Sequence, residues 1–359
     1  MHSTIRDVAR LAGVGTGTVS RVINDSPKVH PGTRAGVLEA MAELDFHPSA
    51  MARRLSTGRT LSIGVVVPFM TRPSIIERLR GIEGALSTTG YDLVVFNVET
   101  TERRNSVVAD LLRGDRVDGL LLVGLSPTDT EVSAIERSGL PTVLIDAYHR
   151  RLARVVANDV QGGQLATRHL LELGHRRIAF LGGLPRVAFT YSASRLRERG
   201  VRLAMRSAGL ELPSKYTVSG DHSRGRARDL TSDLLHAPEP PTGIVCASDT
   251  QALGALEAAR DSGVDVPRQL SIVGYDDLDF ATYLGLTTMR QPLFESGVQG
   301  AGILVELIKS GPAVVRREVI QVELVRRSTT GPAPLVSPVG RPASPSRGDT
   351  RMRSGRLDR

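Results

Sequence analysis

The first forty-five residues carry apolar side chains at helical spacing. Ile5, Val8, Ala9 and Ala12 fall at i, i+3, i+4 and i+7, one face of a helix. Thr4 and Asp7 bracket its start as a T-x-x-D capping box. A turn at Gly13-Val14-Gly15 leads to a second helix from about Thr16 to Asn24, with Val19 and Val22 inward. Pro31 suits the first turn of a third helix, with Val37, Leu38, Met41 and Leu44 inward. Two short helices joined by a glycine turn and followed by a third predict a helix-turn-helix domain.

From residue 61 to about 327 the pattern changes. The apolar runs LSIGVVVP, YDLVVFNV, VDGLLLVG, PTVLID, RRIAFLGG, TGIVCASD and LSIVGYD read as strands, and amphipathic helices separate most of them. Such alternation predicts α/β architecture: two lobes, each a doubly wound parallel sheet covered by helices on both faces. The lobes fall near 61–158 and 159–288. A last helix near 297–309 and a strand, EVIQVELV, return to an existing sheet. The chain therefore divides into an all-α domain at 1–47, a linker at 48–60, a two-lobed core at 61–330 and a tail at 331–359. Within the linker, SAMARRLS can form one or two helical turns. The tail is rich in Pro, Gly, Ser and Arg without an apolar period, which predicts disorder.

Composition adds constraints. Trp is absent and aromatics are 4% of the 359 residues, so the core is aliphatic. One cysteine excludes an internal disulfide framework and fits a reducing cytosol. Cys246 sits in the apolar run GIVCAS and reads as a buried inert thiol. No apolar run reaches the ~20 residues of a membrane span, and the start MHSTIRDVARLAG lacks a signal-peptide core. The reading is a cytoplasmic, nucleoid-associated protein with no membrane contact. The net charge of +8 is uneven: residues 1–60 hold eight Lys/Arg against five Asp/Glu, and 331–359 hold six against two. Basic ends around a near-neutral middle point to a polyanion.

The stretch GVGTGTVSRVIN tests two chemistries. A dinucleotide loop needs G-x-G-x-x-G after a strand, but Thr18 stands at the third glycine position and a helix precedes it. A P-loop needs a Lys that is absent. In a helix-turn-helix the same residues leave Thr16, Gly17, Ser20 and Arg21 outward, where Arg can bond guanine and Ser or Thr a phosphate or base edge.

The series TIxDVAxxAGV, TVSRVIN, V-x-x-x-TR and FxPxxxARxL, continued by IGVVVP, VDGLLLVG, PTVLID, ELGHRRIAFLGG, VPRQLSIVGYDD and LTTMRQP, resembles the LacI/GalR family of transcriptional regulators over about residues 3–328. The resemblance implies that the second helix enters the major groove. Thr16 and Gly17 then occupy the main base-reading positions and Arg21 a further one. Thr4, Thr18, Ser20, Asn24 and Thr33 lie near the DNA. It implies a hinge helix from Ser49 to Ser56 that opens the minor groove, with Leu55 as apolar wedge, Ala52 beside it and Arg53 and Arg54 at phosphates. Two departures matter here: Gly15 replaces the usual capping Ser, and Gly17 replaces a larger polar residue.

For the core, the resemblance implies a periplasmic sugar-binding architecture with a ligand between the lobes. Phe69, Arg72, Ser74 and Ile75 follow the first strand; Asp146 ends PTVLID and Asp159 ends VVAND. Arg197, His222, Ser248, Asp249 and Asp276 are the other candidates. Asp159 and Asp249 can equally cap the helices that follow them. TRPSII replaces an Asn-Pro-aromatic run, and His222 replaces a stacking ring. The effector could be an ordinary sugar, a phosphorylated or acidic sugar, or a nucleoside-like compound.

The function implied is a repressor acting on palindromic operator DNA as a homodimer, or a higher assembly, under control of a sugar-like effector. The alternative is the solute-binding protein of a sugar transporter. The core alone permits it; the DNA-reading domain and missing signal argue against it. An enzyme is not supported: P-loop, G-x-S-x-G, H-E-x-x-H and metal-spaced Cys/His sets are missing, and His175 beside RRIAFLGG reads as a turn residue. No cofactor, metal or catalytic residue is assigned.

Overall fold

The computed structural model describes residues 3–24, 26–46, 59–114, 116–184, 192–311 and 315–335. Helices α1 (Ile5–Leu11), α2 (Thr16–Ile23) and α3 (Pro31–Glu43) form the amino-terminal domain. The capping box is present: Thr4 N–H and Oγ1 both donate to Asp7 Oδ2, at 3.0 and 2.7 Å. Gly13 takes φ +65° in the turn, where a side chain would be strained. Val8, Ala9, Val19, Val22, Val37 and Ala40 make a small core of their own. One expectation fails here. Leu38 is 51% exposed, because α3 buries the set 37, 40, 41 and 44, and position 38 lies about 100° round the helix.

The amino-terminal lobe contains β1 (Ser62–Pro68), α4 (Pro73–Leu86), β2 (Asp92–Val98), α5 (Thr101–Leu112), β3 (Gly119–Val123), α6 (Asp129–Ser138), β4 (Thr142–Ile145) and β5 (Ala153–Ala157). The carboxyl-terminal lobe contains α7 (Asp159–Glu172), β6 (Ile178–Gly183), α8 (Ser192–Ser207), β7 (Thr217–Gly220), α9 (Arg224–Leu235), β8 (Gly243–Cys246), α10 (Asp249–Asp261), β9 (Ser271–Asp276), α11 (Asp279–Tyr283) and β10 (Thr287–Arg290). Then α12 (Leu293–Ser310) returns to the first lobe. There Ala301, Ile303, Leu304 and Val305 pack with Ile63, Val65 and Ile145.

The segment read as one strand, EVIQVELV, is two: β11 (Arg317–Ile320) pairs with β5, and β12 (Glu323–Val325) pairs with β10. The sheet orders are β11-β5-β4-β3-β1-β2 and β12-β10-β9-β8-β6-β7. All pairs are parallel except β10 with β12. Strands β1, β3, β4, β8 and β9 are buried throughout, which parallel sheets with helices on both faces require. The chain thus crosses between the lobes near Asn158, Gln291 and Gln321. Of these crossings, the one at Gln291 places a polar side chain in the cleft.

The carboxyl terminus corrects a boundary. Gly331 N–H donates to Ser271 Oγ, Ala333 N–H donates to the Leu173 carbonyl, and buried His175 bonds Thr242, Ser271 and the Gly331 carbonyl. Residues 331–335 therefore belong to the second lobe rather than to a disordered tail. His175 is an internal clamp more than a turn residue. The hinge candidates Ser49, Ala52, Arg53, Arg54 and Leu55, and the tail from 336 onward, lie outside the described residues.

Candidate effector cleft and DNA-reading face

On the amino-terminal domain, burial of Val19 and Val22 turns the rest of α2 outward. Thr16, Gly17, Arg21 and Asn24 are exposed, Thr18, Ser20 and Thr33 are half-buried, and exposed Thr4 is engaged in the cap of α1. Gly15 is the N-cap of α2 without a side-chain acceptor. A Cβ at Gly15 or Gly17 would meet nothing within 4 Å. The glycines therefore leave a bare backbone on the exposed face of α2, not a packed one.

A cavity of about 630 Å³ lies between the lobes at the carboxyl ends of the strands, where open α/β sheets bind ligands. Nine of the expected residues line it: Phe69, Arg72, Ser74, Ile75, Asp146, Arg197, His222, Ser248 and Asp276. Three of these sit where the backbone is unusual. Phe69, Asp146 and Asp276 have φ of 49°, 54° and 118°, all in the left-handed half. Non-glycine residues hold such angles at a cost of about 1–3 kcal/mol, and they cluster at functional sites.

Asp159 and Asp249 do not line the cavity. Asp159 stands behind the wall, where Arg197 Nε donates to it at 2.7 Å; the cap of α7 is Asn158. Asp249 accepts from Thr288 Oγ1 at 2.5 Å and from Leu278 N–H at 2.8 Å; the cap of α10 is Ser248. Both hold the site from outside. Burial pushes the Asp159, Asp249 and Asp276 carboxyls above their usual range, against the pull of Arg197 on Asp159 and Asp276.

Of the lining residues that escaped the sequence reading, Asp221 among them, two join the lobes. Arg78 on α4 is 3% exposed and donates to Asp146 at 3.0 Å. Gln291, at a crossing between lobes, donates to Asp276 at 2.5 Å and faces Arg78 at 3.5 Å. A continuous polar chain, Asp146–Arg78–Gln291–Asp276–Arg197–Asp159, therefore links the lobes across the cleft floor. A signal for Arg78 was available: it lies three residues after Ile75 and four before Ile82, on the inward face of α4. Gln291 had none, since nothing local marks a crossing.

Arg197 is the hub. Its guanidinium lies 3.6 Å from the centroid of the Tyr275 ring, 2.7 Å from Asp159 and 3.9 Å from Asp276. Two of the cavity arginines, Arg78 and Arg197, sit at glycine crossings. A Cβ at Gly163 of α7 would strike the Arg197 carbonyl, and one at Gly297 of α12 would strike the Arg78 carbonyl. Close helix approach positions each guanidinium at the cleft floor. His222 faces Gly183, and burial pushes its imidazole down to about 4, with Arg72 and Arg197 adding to the effect. It is neutral at pH 7.

The sequence model of bacterial regulatory proteins of the lacI family matches residues 4–49, and that of the periplasmic binding protein-like domain matches 167–330. The ribose operon repressor of Escherichia coli (strain K12) is 36% identical over 311 residues, 85% of this chain and 93% of that repressor. The chain belongs to the LacI family of bacterial transcriptional regulators. Another LacI-family relative, the HTH-type transcriptional repressor PurR of Actinobacillus pleuropneumoniae serotype 3 (strain JL03), is 33% identical and covers 90% of this chain and 97% of its own. The solved lac repressor dimer bound to operator and the anti-inducer ONPF aligns with a TM-score of 0.82 at 31% identity, over 92% of this chain and all of that one. The complex of the transcriptional regulator CelR with cellobiose aligns at 0.68 and 31%, over 91% and 99%. As a LacI-family protein the chain is a DNA-binding transcriptional repressor controlled by a small effector, and the transporter reading is set aside. Among the described residues no helix is long and apolar enough to cross a membrane.

Proposed function

We propose that this chain represses transcription by binding a palindromic operator as a homodimer, and that a sugar or sugar derivative in the interlobe cleft sets its operator affinity. The observation that carries this reading is the polar chain through Gln291: a ligand bonding Arg78 or Asp146 on one lobe and Arg197 or Asp276 on the other biases the lobe geometry. Arg21 and Thr16 carry most direct base readout, because Gly17 between them offers no side chain. By the family resemblance, Leu55 is the minor-groove wedge and Arg53 a phosphate contact. Val94 and Val95 on the edge strand β2, and Tyr283 at 92% exposure, offer apolar surface to a second copy. The protein works in the cytoplasm, on the nucleoid, and carries no catalytic site or cofactor.

The test is selection of DNA by the full-length protein from a randomised library. The expected result is an enriched inverted repeat whose binding weakens steeply with salt, as phosphate neutralisation requires. Arg21→Ala should relax one base position per half-site. Recovery of no shared sequence would overturn the reading.

A further inference from the structure

Three guanidiniums line the cleft, Arg72, Arg78 and Arg197. Two of them are paired with carboxylates. Arg78 pairs with Asp146 at 3.0 Å. Arg197 pairs with Asp159 at 2.7 Å and stands 3.9 Å from Asp276. Arg72, at the start of α4 on the first lobe, and Asp221, just after β7 on the second, line the mouth of the same cavity. The Ser223 hydroxyl donates to Asp221 at 2.5 Å and holds its carboxyl below the usual range; the charge of Arg72 contributes in the same direction. His222 adds no cation, since its imidazole titrates near 4.

The lining therefore carries three positive and three negative side chains, with Asp159 behind them. A phosphate or carboxylate entering this cavity meets Asp146, Asp221 and Asp276, and taking Arg78 or Arg197 must leave a carboxylate behind, partly desolvated and uncompensated. Hydroxyl groups meet no such cost. They donate to a carboxylate and accept from its partner guanidinium while the ion pair stays intact. Arg78 Nε, buried and without a partner among the described residues, offers one more donor for a hydroxyl oxygen. Flat ligands are poorly served as well. The Arg72 guanidinium lies 4.3 Å from the Phe69 ring centroid, so one face of that ring is already covered.

We propose that the effector is an uncharged sugar, and that Asp221 is a specificity residue which turns phosphorylated and acidic sugars away at the cleft mouth. The proposal rests on the reading of the cleft as a sugar-effector site and narrows it to one ligand charge.

The experiment uses full-length protein, wild type and Asp221→Asn. The asparagine keeps an oxygen for Ser223 and removes only the charge. Thermal-shift and calorimetric titrations are run with ribose, glucose and cellobiose, then with ribose 5-phosphate, glucose 6-phosphate and gluconate, and with adenosine. On wild type, a neutral sugar should raise the melting temperature, and its phosphate ester should bind at least about tenfold more weakly, the factor expected for one unpaired like-charge contact at a partly exposed site. In Asp221→Asn that ratio should fall about fivefold. Binding of the neutral sugar should be insensitive to salt from 50 to 500 mM, roughly a range over which charge contacts are screened. A phosphate ester that binds wild type as tightly as its parent sugar overturns the proposal, and so does a ratio unmoved by Asp221→Asn. Preferential binding of adenosine, with no response to any sugar or sugar phosphate, overturns the sugar reading itself, while DNA selection stays positive.

Discussion

Replacing Arg197 with methionine should unmask two buried carboxylates. The geometry sets the scale. At an effective dielectric of about 20, a charge pair at the observed 2.7 Å contributes roughly 6 kcal/mol of gross attraction, and one at 3.9 Å roughly 4. Much of this offsets desolvation of the guanidinium, which methionine does not incur. Deleting one partner of a buried pair costs about 3–5 kcal/mol in net terms, and that is the expectation at pH 8. The sign of the pH dependence follows from the carboxyls. Asp159 and Asp276 already titrate near 6 in the fold, above the usual carboxylate value. A raised carboxyl contributes stability that is full below its unfolded value and is lost as pH rises through the folded one. Loss of Arg197 raises both further, so the variant keeps them protonated to higher pH. The penalty should accordingly be small near pH 5 and grow towards pH 8. Urea unfolding of wild type and Arg197→Met at pH 5, 6.5 and 8, followed by the far-ultraviolet signal, measures it. A penalty under about 1 kcal/mol at pH 8, or one equal at all three values, would refute the reasoning.

Other outcomes follow from the same geometry. Gly17→Ala should raise the stability of the amino-terminal domain by up to ~1 kcal/mol, since the added methyl meets nothing within 4 Å and helix propensity improves; differential scanning calorimetry reads it. Gly297→Ala should cost about 1–3 kcal/mol and weaken effector binding, because the methyl collides with the Arg78 carbonyl and displaces α4; calorimetric titration separates the two effects. Cys246, fully buried and with its thiol pushed up by burial, should resist iodoacetamide at pH 8 in the native protein and react after unfolding.

Much of this was legible in the sequence, and what was not has physical reasons. The capping box, the Gly13 turn and the Val19/Val22 pair are local features, and local features are read correctly. Leu38 was misplaced because Ala40, a small residue, holds the inward position that a larger apolar neighbour suggested for itself. Strands β5, β7 and β10 are four or five residues of mixed polarity and carry little periodic signal. The division of EVIQVELV between two sheets is invisible to alternation, which reports faces and not partners. At the cleft, strand ends and the family pattern found Asp146, Asp276 and Arg197 but not Asp221. Arg78 and Gln291 depend on how α4 and a lobe crossing approach those ends, a tertiary fact. Asp159 and Asp249, expected at the ligand or as helix caps, are neither: they support Arg197, Thr288 and Leu278 from behind the cavity wall.

Repression under effector control requires coupling between cleft and DNA. Fluorescence anisotropy with the selected operator gives the affinity of the full-length protein alone and with the sugar that most raises its melting temperature. The sugar should change operator affinity at least fivefold, the lower end of typical allosteric coupling, and operator DNA should change sugar affinity by the same factor. Arg197→Met should keep operator binding and lose the response. An operator affinity indifferent to every sugar that binds the cleft would contradict the account.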